Sequence, residues 1–462
     1  MSIGSEVVRV NSRTYKRLVI LVFSAIAVIL AALHAPGEMS VDSVSALYEG
    51  ATGHAVGWGP TFFSAFLKWL GNGVTGASVF VAINCYATYG CFATLLMSTS
   101  GPKPPKWQIY LAWLLALNPL FMFYVGIIWK DVMLTTAVMT ASTCLLLACS
   151  RAGRVRYALL VAAALIISSL ILIRQQGILL AAPLGAVTAG IIAKDWSGRR
   201  LSKVLMFLLC IGVIVGATKS LDVLSNKTVK PQASSPISVG FLTIRAYDIA
   251  GMIRYAKSGD SDAWANAPEQ TKAGIRSEYS PQRIDTIWHA PEIRNYFNTL
   301  TARQYSSIWM AGIRHDPWAY LDHRARAFAY LLGFGSIDGC VPAYWGVAGV
   351  PEQMKALGFR EEMDDRARVV GRMAHSLYQT LVFRNWFYAL VLLIATIVIA
   401  CRTNKQQRWV CGAIAIASWL YLGSFVPTTI ACDFRYLYPV AGLATLLAIY
   451  LLTNIKWIKN RH

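Results

Sequence analysis

Charged side chains that stand directly beside long apolar stretches are the residues best suited to chemistry in this sequence. The cations of this kind are Lys130, Arg174 and Arg435, and the acids are Asp42, Asp131 and Asp433. A charge at membrane depth is costly and is generally kept for function. Arginine binds phosphate through paired hydrogen bonds, lysine acts on it as a point charge, and a neighbouring carboxylate suits a general base. The structural alternative for each residue is a side chain that reaches the membrane surface or pairs with a neighbour.

The composition indicates a membrane protein. Of the 462 residues, 56% are hydrophobic and 14% are charged, whereas soluble domains carry about 25% charged residues. Ten apolar segments are long enough to cross a hydrocarbon layer of about 30 Å. They are residues 18–34, 76–97, 109–129, 132–149, 157–173, 177–193, 203–219, 384–401, 409–426 and 437–454. The sequence therefore predicts an all-α polytopic protein with about ten transmembrane helices.

The net charge of +20 follows the expected membrane topology. Basic residues are concentrated in alternate connections between the apolar segments, and the other short connections contain few. Because cytoplasmic connections are enriched in Lys and Arg, both termini are expected in the cytoplasm. The excess charge then lies beside anionic lipid, and no nucleic-acid partner is needed to explain it. This pattern favours a bacterial inner membrane with the candidate residues facing the periplasm.

Two regions on the expected outer side are too long to be simple connections. In the first outer loop, residues 35–74, apolar residues recur at helical spacing in two short amphipathic stretches, which predicts helices in the membrane interface. The polar segment 220–383 can bury a core of its own, which predicts a mainly helical periplasmic domain. The expected division is a transmembrane catalytic module at 1–219, the periplasmic domain at 220–383 and C-terminal transmembrane helices at 384–462.

Two of the nine cysteines, Cys340 and Cys432, lie outside the apolar segments. Both are expected on the oxidising side of the membrane, where a disulfide between them would tie the polar domain to the last outer loop. Two unpaired thiols are the equal alternative, because the sequence gives no distance between the two residues.

Five short strings occur in an order that resembles the GT-C membrane glycosyltransferases. They are Asp42 followed by His54 and Pro60, the pair Lys130-Asp131, the turn Arg174-Gln175-Gln176-Gly177, the helix start His315-Asp316-Pro317 and the closing Asp433-Phe434-Arg435-Tyr436. The family has an acid and two juxtamembrane helices in its first outer loop, an active site on the outer face and a soluble domain late in the chain. Many members carry paired acids in that loop, whereas Asp42 is followed by Ser43.

The resemblance implies an inverting hexosyl- or pentosyltransferase that moves a sugar from a polyprenyl-phosphate donor to an acceptor hydroxyl. Asp42 would accept the proton of the hydroxyl as it attacks the anomeric carbon and displaces the lipid phosphate. Stabilisation of the charge on that leaving group would fall to Lys130, Arg174 and Arg435. The expected acceptor is a glycan, a lipid or a protein. Membrane lipid is the other expected partner of the chain.

Asp131, His54 and Asp433 have auxiliary roles in this expectation. Asp131 would orient Lys130 or the acceptor, and His54 and Asp433 would contact the sugar or phosphate. No metal ligand is assigned, because the histidines show no metal-ligand spacing. A divalent metal remains open, since Asp131 could add a second carboxylate to that of Asp42.

Three other functions compete with this interpretation. A surface-polysaccharide ligase or polymerase would rely on outer-loop Arg and His, such as His315, rather than on an acid of the first loop. A lipid or sugar transporter would need a polar path deep in the bundle, but the apolar segments lack charges at their centres. A membrane scaffold without activity is the third alternative.

Overall fold

The computed structural model describes residues 12–57, 59–98, 105–232, 236–256, 264 and 266–454. Within these ranges the chain consists of helices, and extended pairing is limited to isolated bridges between single residues. Ten helical segments in the described part are long and apolar enough to cross a membrane. The predicted all-α polytopic fold with about ten transmembrane helices is therefore confirmed.

The first half of the chain contains seven of these spans and the two short helices of the first outer loop. Its helices are α1 (Ser12–His34), α2 (Val41–Thr52), α3 (Thr61–Trp69), α4 (Gly73–Met97), α5 (Lys106–Ala116), α6 (Pro119–Tyr124), α7 (Lys130–Ala148), α8 (Gly153–Ile173), α9 (Gly177–Asp195) and α10 (Arg200–Thr228). The third span is divided into α5 and α6, because Asn118 caps the new helix through the backbone N–H of Leu120 and Pro119 occupies its first turn.

The segment that follows α10 is helical and is here called the outer domain. Its helices are α11 (Pro236–Tyr255), α12 (Glu269–Glu278), α13 (Asp285–His289), α14 (Pro291–Thr299), α15 (Ala302–His315), α16 (Pro317–Leu332), α17 (Pro351–Leu357) and α18 (Asp365–Leu377). Residues 246–327 supply a second hydrophobic core, which includes Tyr247, Trp264 and Phe297. The expected boundary at 219/220 lies inside α10. The chain then returns to the bundle as α19 (Asn385–Arg402), α20 (Lys405–Thr428) and α21 (Tyr438–Asn454).

The two predicted amphipathic helices of the first outer loop are present as α2 and α3. Ser40 and Ser43 cap the start of α2, and Gly53 ends it in the left-handed conformation at φ 74°. Glycine adopts this conformation without strain, so the chain can reverse toward α3. The buried Glu49 holds the turn, because it accepts the backbone N–H of Val56 and Gly57 at 2.9 and 2.7 Å.

The extended residues Glu38 and Met39 of the first outer loop lie between the residues before α7 and the outer domain. The backbone N–H of Glu38 donates to Gly126 at 2.9 Å, and that of Ile128 donates back to Glu38 at 3.0 Å. On the other side, the N–H of Met39 donates to Gly346 at 2.8 Å. These bonds fix the start of α2 against the start of α7 and against the outer domain.

The outer domain is also attached to the loop between α20 and α21. The backbone N–H of Ile284 donates to Ile430, and that of Cys432 donates to Gln282, both at 2.8 Å. Cys340 and Cys432 form a disulfide with their Cα atoms 5.3 Å apart, so of the two alternatives left by the sequence the disulfide is the one formed. This loop leads directly into Asp433 and Arg435.

Candidate active site

The candidate residues occupy helix ends that the backbone contacts above bring together. Asp42 lies in the first turn of α2, Lys130 and Asp131 begin α7, and Arg174 follows the last residue of α8. Helix ends suit this purpose because their polar backbone groups can face a ligand. The last contribution comes from the loop before α21, which carries Asp433 and Arg435.

Asp42 and Arg435 form an ion pair at the centre of this region. Arg435 Nη1 donates to Asp42 Oδ2 at 2.7 Å, and Arg435 Nε lies 3.3 Å from Asp433 Oδ2. The guanidinium carbon lies 4.6 Å from the ring centre of Trp129, whose indole N–H donates to Ser40 at 2.8 Å. The Arg435 side chain is 17% exposed, whereas that of Asp42 is 67% exposed. A substrate can therefore reach Asp42, while contacts with Trp129 and Asp433 hold the Arg435 side chain in place.

The electrostatic environment keeps Asp42 ionised. Partial desolvation of the carboxyl by the surrounding protein raises its pKa, whereas the charge of Arg435, the hydrogen bond from Arg435 and the charge of Lys130 lower it. The lowering effects together are larger, so the pKa of Asp42 lies below its usual value. Asp42 is thus a carboxylate at neutral pH, the form that a general base requires.

Asp131 and Arg174 form a second, more deeply buried ion pair. The Asp131 side chain is 2% exposed and that of Arg174 is 12% exposed. The guanidinium lies over the rings of Tyr436 and Phe425 at 4.9 and 5.4 Å, and its Nε donates to Gln176 at 2.9 Å. Burial has the largest single effect and lowers the pKa of Arg174, but the charges of Asp131, Tyr421 and Tyr436 together raise it more, so the side chain remains a cation.

A cavity of about 440 Å³ lies near this cluster, and its lining includes Gln175, the residue that follows Arg174. Phe62 of α3 and Leu172 at the end of α8 provide apolar walls, and Gln175 and Asn226 provide polar groups. Gly59 also borders the cavity, and a Cβ added at Gly59 would lie 3.8 Å from Nζ of Lys130. The cavity is therefore apolar over much of its wall, with Asp222 as a charged lining residue, and Lys130 lies outside the lining but close to Gly59.

The site groups most of the residues expected from the sequence and adds others. Within the described residues, no hydrogen bond, ion pair or ring contact joins His54 to the cluster; its Nδ1 lies 3.0 Å from the carbonyl oxygen of Thr52. Arg283 of the outer domain does join it, with Nη2 donating to Asp433 at 2.8 Å. Nothing in the local sequence around Arg283 indicates this contact. In the described part of the chain, no group of three or more His, Cys, Asp or Glu is placed to hold a metal ion.

Neither a protein-family model nor a curated protein sequence matches this chain. The chain is similar to a solved structure of the archaeal oligosaccharyltransferase AglB from Archaeoglobus fulgidus, determined in complex with an inhibitory peptide and a dolichol-phosphate. The TM-score is 0.43 and the identity 12%, over 95% of this chain and 50% of that chain. The chain thus spans about half the length of that protein. Because the similarity concerns the fold alone, the function proposed next rests on the geometry of the site.

Proposed function

We propose that this protein is a glycosyltransferase that moves a sugar from a polyprenyl-phosphate donor to an acceptor hydroxyl at the periplasmic face of a bacterial inner membrane. The observation that carries this proposal is the cluster in which Lys130 and Arg435 act on the accessible carboxylate of Asp42 and the Asp131–Arg174 pair lies beside Lys130, with a largely apolar cavity nearby. Cations in a partly buried site are suited to a phosphate, and an apolar cavity beside them is suited to a lipid chain.

The cavity gives the donor a defined orientation. The first isoprenoid units would contact Phe62 and Leu172, while the phosphate would lie where Gly59 and Gln175 bring the cavity close to Lys130 and Arg174. The contacts of Arg174 with the stacked rings of Phe425 and Tyr436 and its pairing with Asp131 limit the movement of its guanidinium. Such preorganised charge stabilises a developing anion without a cost of reorganisation during the reaction.

Asp42 would act as the general base of the transfer. Its carboxylate accepts the proton of the acceptor hydroxyl, the hydroxyl oxygen forms a bond to the anomeric carbon, and the bond between that carbon and the phosphate oxygen breaks. The electron pair of the broken bond goes to the lipid phosphate, which receives stabilisation from Lys130, Arg174 and Arg435. Attack from the side opposite the phosphate inverts the anomeric configuration.

The test is binding of undecaprenyl phosphate to the purified full-length protein, followed by turnover of sugar-loaded donors in hexosyl and pentosyl forms. We expect the wild type to bind, Arg174→Ala to bind weakly, and Asp42→Asn to bind without transferring sugar. Matched controls are Arg326→Ala and Asp365→Asn, which change exposed ion pairs of the outer domain. A wild type that does not bind the lipid phosphate would overturn the donor assignment.

A further inference from the structure

Arg283 is the point at which the outer domain contacts the ion pairs of the candidate site. It lies between α12 and α13, opposite Ala431 in the pairing of residues 282–284 with 430–432. Two backbone hydrogen bonds and the neighbouring disulfide at Cys432 hold this pairing. The reaction described above does not use Arg283, although its side chain is directed into the same cluster.

The contacts of Asp433 show what Arg283 does there. The Asp433 carboxylate is buried, and its two oxygens face two different arginines: Oδ1 accepts from Arg283 Nη2 at 2.8 Å, and Oδ2 lies 3.3 Å from Arg435 Nε. Within the described residues, Arg435 Nε has no hydrogen-bond partner, so its contact with Asp433 is an ion pair without hydrogen-bond geometry. Arg435 directs its hydrogen bond to Asp42 instead.

We propose that Arg283 is a positioning residue of the donor site, which binds Asp433 and thereby leaves the outer nitrogens of Arg435 available to Asp42 and to the donor phosphate. This inference rests on the function proposed above. A buried carboxylate requires a cationic or hydrogen-bonding partner. Without Arg283, Asp433 would draw Arg435 fully to itself and away from Asp42. The outer domain would in this way set the affinity of the membrane-embedded site for its donor.

Removal of the Asp433 charge distinguishes a positioning role of Arg283 from a purely structural role. Arg283→Gln leaves Asp433 with Arg435 as its cation, so we expect about tenfold weaker binding of undecaprenyl phosphate, in line with the loss of one charge-assisted hydrogen bond. The double variant Arg283→Gln with Asp433→Asn no longer attracts Arg435 away from the phosphate. Its affinity should return close to that of the wild type. Arg283→Lys keeps a cation and should bind with intermediate affinity.

The experiment compares undecaprenyl phosphate binding by the wild type, Arg283→Gln, Arg283→Lys and the double variant, with Arg326→Gln as an exposed arginine control. Thermal unfolding of each purified protein is measured in parallel. Wild-type affinity in Arg283→Gln, or a double variant that binds as weakly as Arg283→Gln, would overturn the role of Arg283 while leaving the proposed function intact. A wild type that does not bind would overturn both.

Discussion

The buried pair of Asp131 and Arg174 allows stability and donor binding to be separated. Arg174→Ala removes the cation that faces an Asp131 side chain of 2% exposure. Breaking a buried ion pair by removing one partner costs about 3–5 kcal/mol. We expect the free energy of unfolding to fall by about 3 kcal/mol, the lower end of that range. The lower end applies because Arg174 is 12% exposed and Lys130 is adjacent to Asp131. The same change removes a phosphate ligand, so donor binding should also fall.

A second substitution distinguishes the two effects. In the double variant Arg174→Ala with Asp131→Asn, the uncompensated buried charge is replaced by a neutral amide of similar shape. Most of the lost stability should return, because the penalty comes mainly from the unpaired carboxylate. Binding of undecaprenyl phosphate should not return, since the double variant still lacks the guanidinium that lies against Tyr436 and Phe425.

The assay pairs thermal unfolding in detergent with titration of undecaprenyl phosphate, and Arg326→Ala serves as a control for the loss of an exposed arginine. Recovery of both stability and binding in the double variant would refute the reasoning. Arg174 would then only neutralise Asp131 and would have no contact with the donor. An Arg174→Ala protein that unfolds like the wild type would show that the ion pair does not stabilise the fold.

Three further results are expected. Asp42→Asn should keep its affinity for undecaprenyl phosphate and lose roughly 100-fold or more in transfer rate, the usual contribution of a general base; unchanged transfer would exclude that role. Arg435 and Lys130 hold the pKa of Asp42 below its usual value, so the transfer rate should fall only as the pH drops through this lowered pKa. Arg435→Gln should move that fall in rate to higher pH. The same pH–rate profile in Arg435→Gln as in the wild type would contradict the pairing of Arg435 with Asp42. The double variant Cys340→Ala with Cys432→Ala removes a disulfide that links residues 92 positions apart and should cost about 2–5 kcal/mol of stability. The loss is measured as a lower unfolding temperature, which a reductant should not lower further in this variant.

The parts of the structure that depend on local patterns were predictable from the sequence. The spans, α2 and α3 follow from the length and periodicity of apolar residues, which each segment carries by itself. The capping of α16 by Asp316 was equally local, since the Asp-Pro pair supplies both the cap and the first-turn proline. The convergence of the cations followed from their position at helix ends on one side of the membrane.

The partners within the site were not predictable in the same way. The pairing of Asp131 with Arg174 depends on how α7 and α8 pack, and no spacing rule connects residues so far apart in sequence. Arg283 is one of many basic residues in the outer domain, and only the pairing of residues 282–284 with 430–432 brings it to Asp433. Glu49, placed on the polar side of α2 by its periodicity, is buried because the turn that follows supplies two N–H donors.

The charges of the site match those of the proposed reaction. Four cations, Lys130, Arg174, Arg283 and Arg435, face four carboxylates, Asp42, Asp131, Asp433 and the exposed Asp285, which lies 3.5 Å from Arg283 Nε. In the proposed reaction, a sugar phosphodiester adds one negative charge to this balanced set. During transfer the leaving phosphate gains a second charge, while the proton taken up by Asp42 removes one. Because Arg435 contacts Asp42, protonation of Asp42 in the proposed reaction would release the guanidinium as the charge on the phosphate increases. A general base that acted independently of the leaving phosphate would not require the ion pair between Asp42 and Arg435. A base whose protonation makes a cation available to the leaving phosphate would require it.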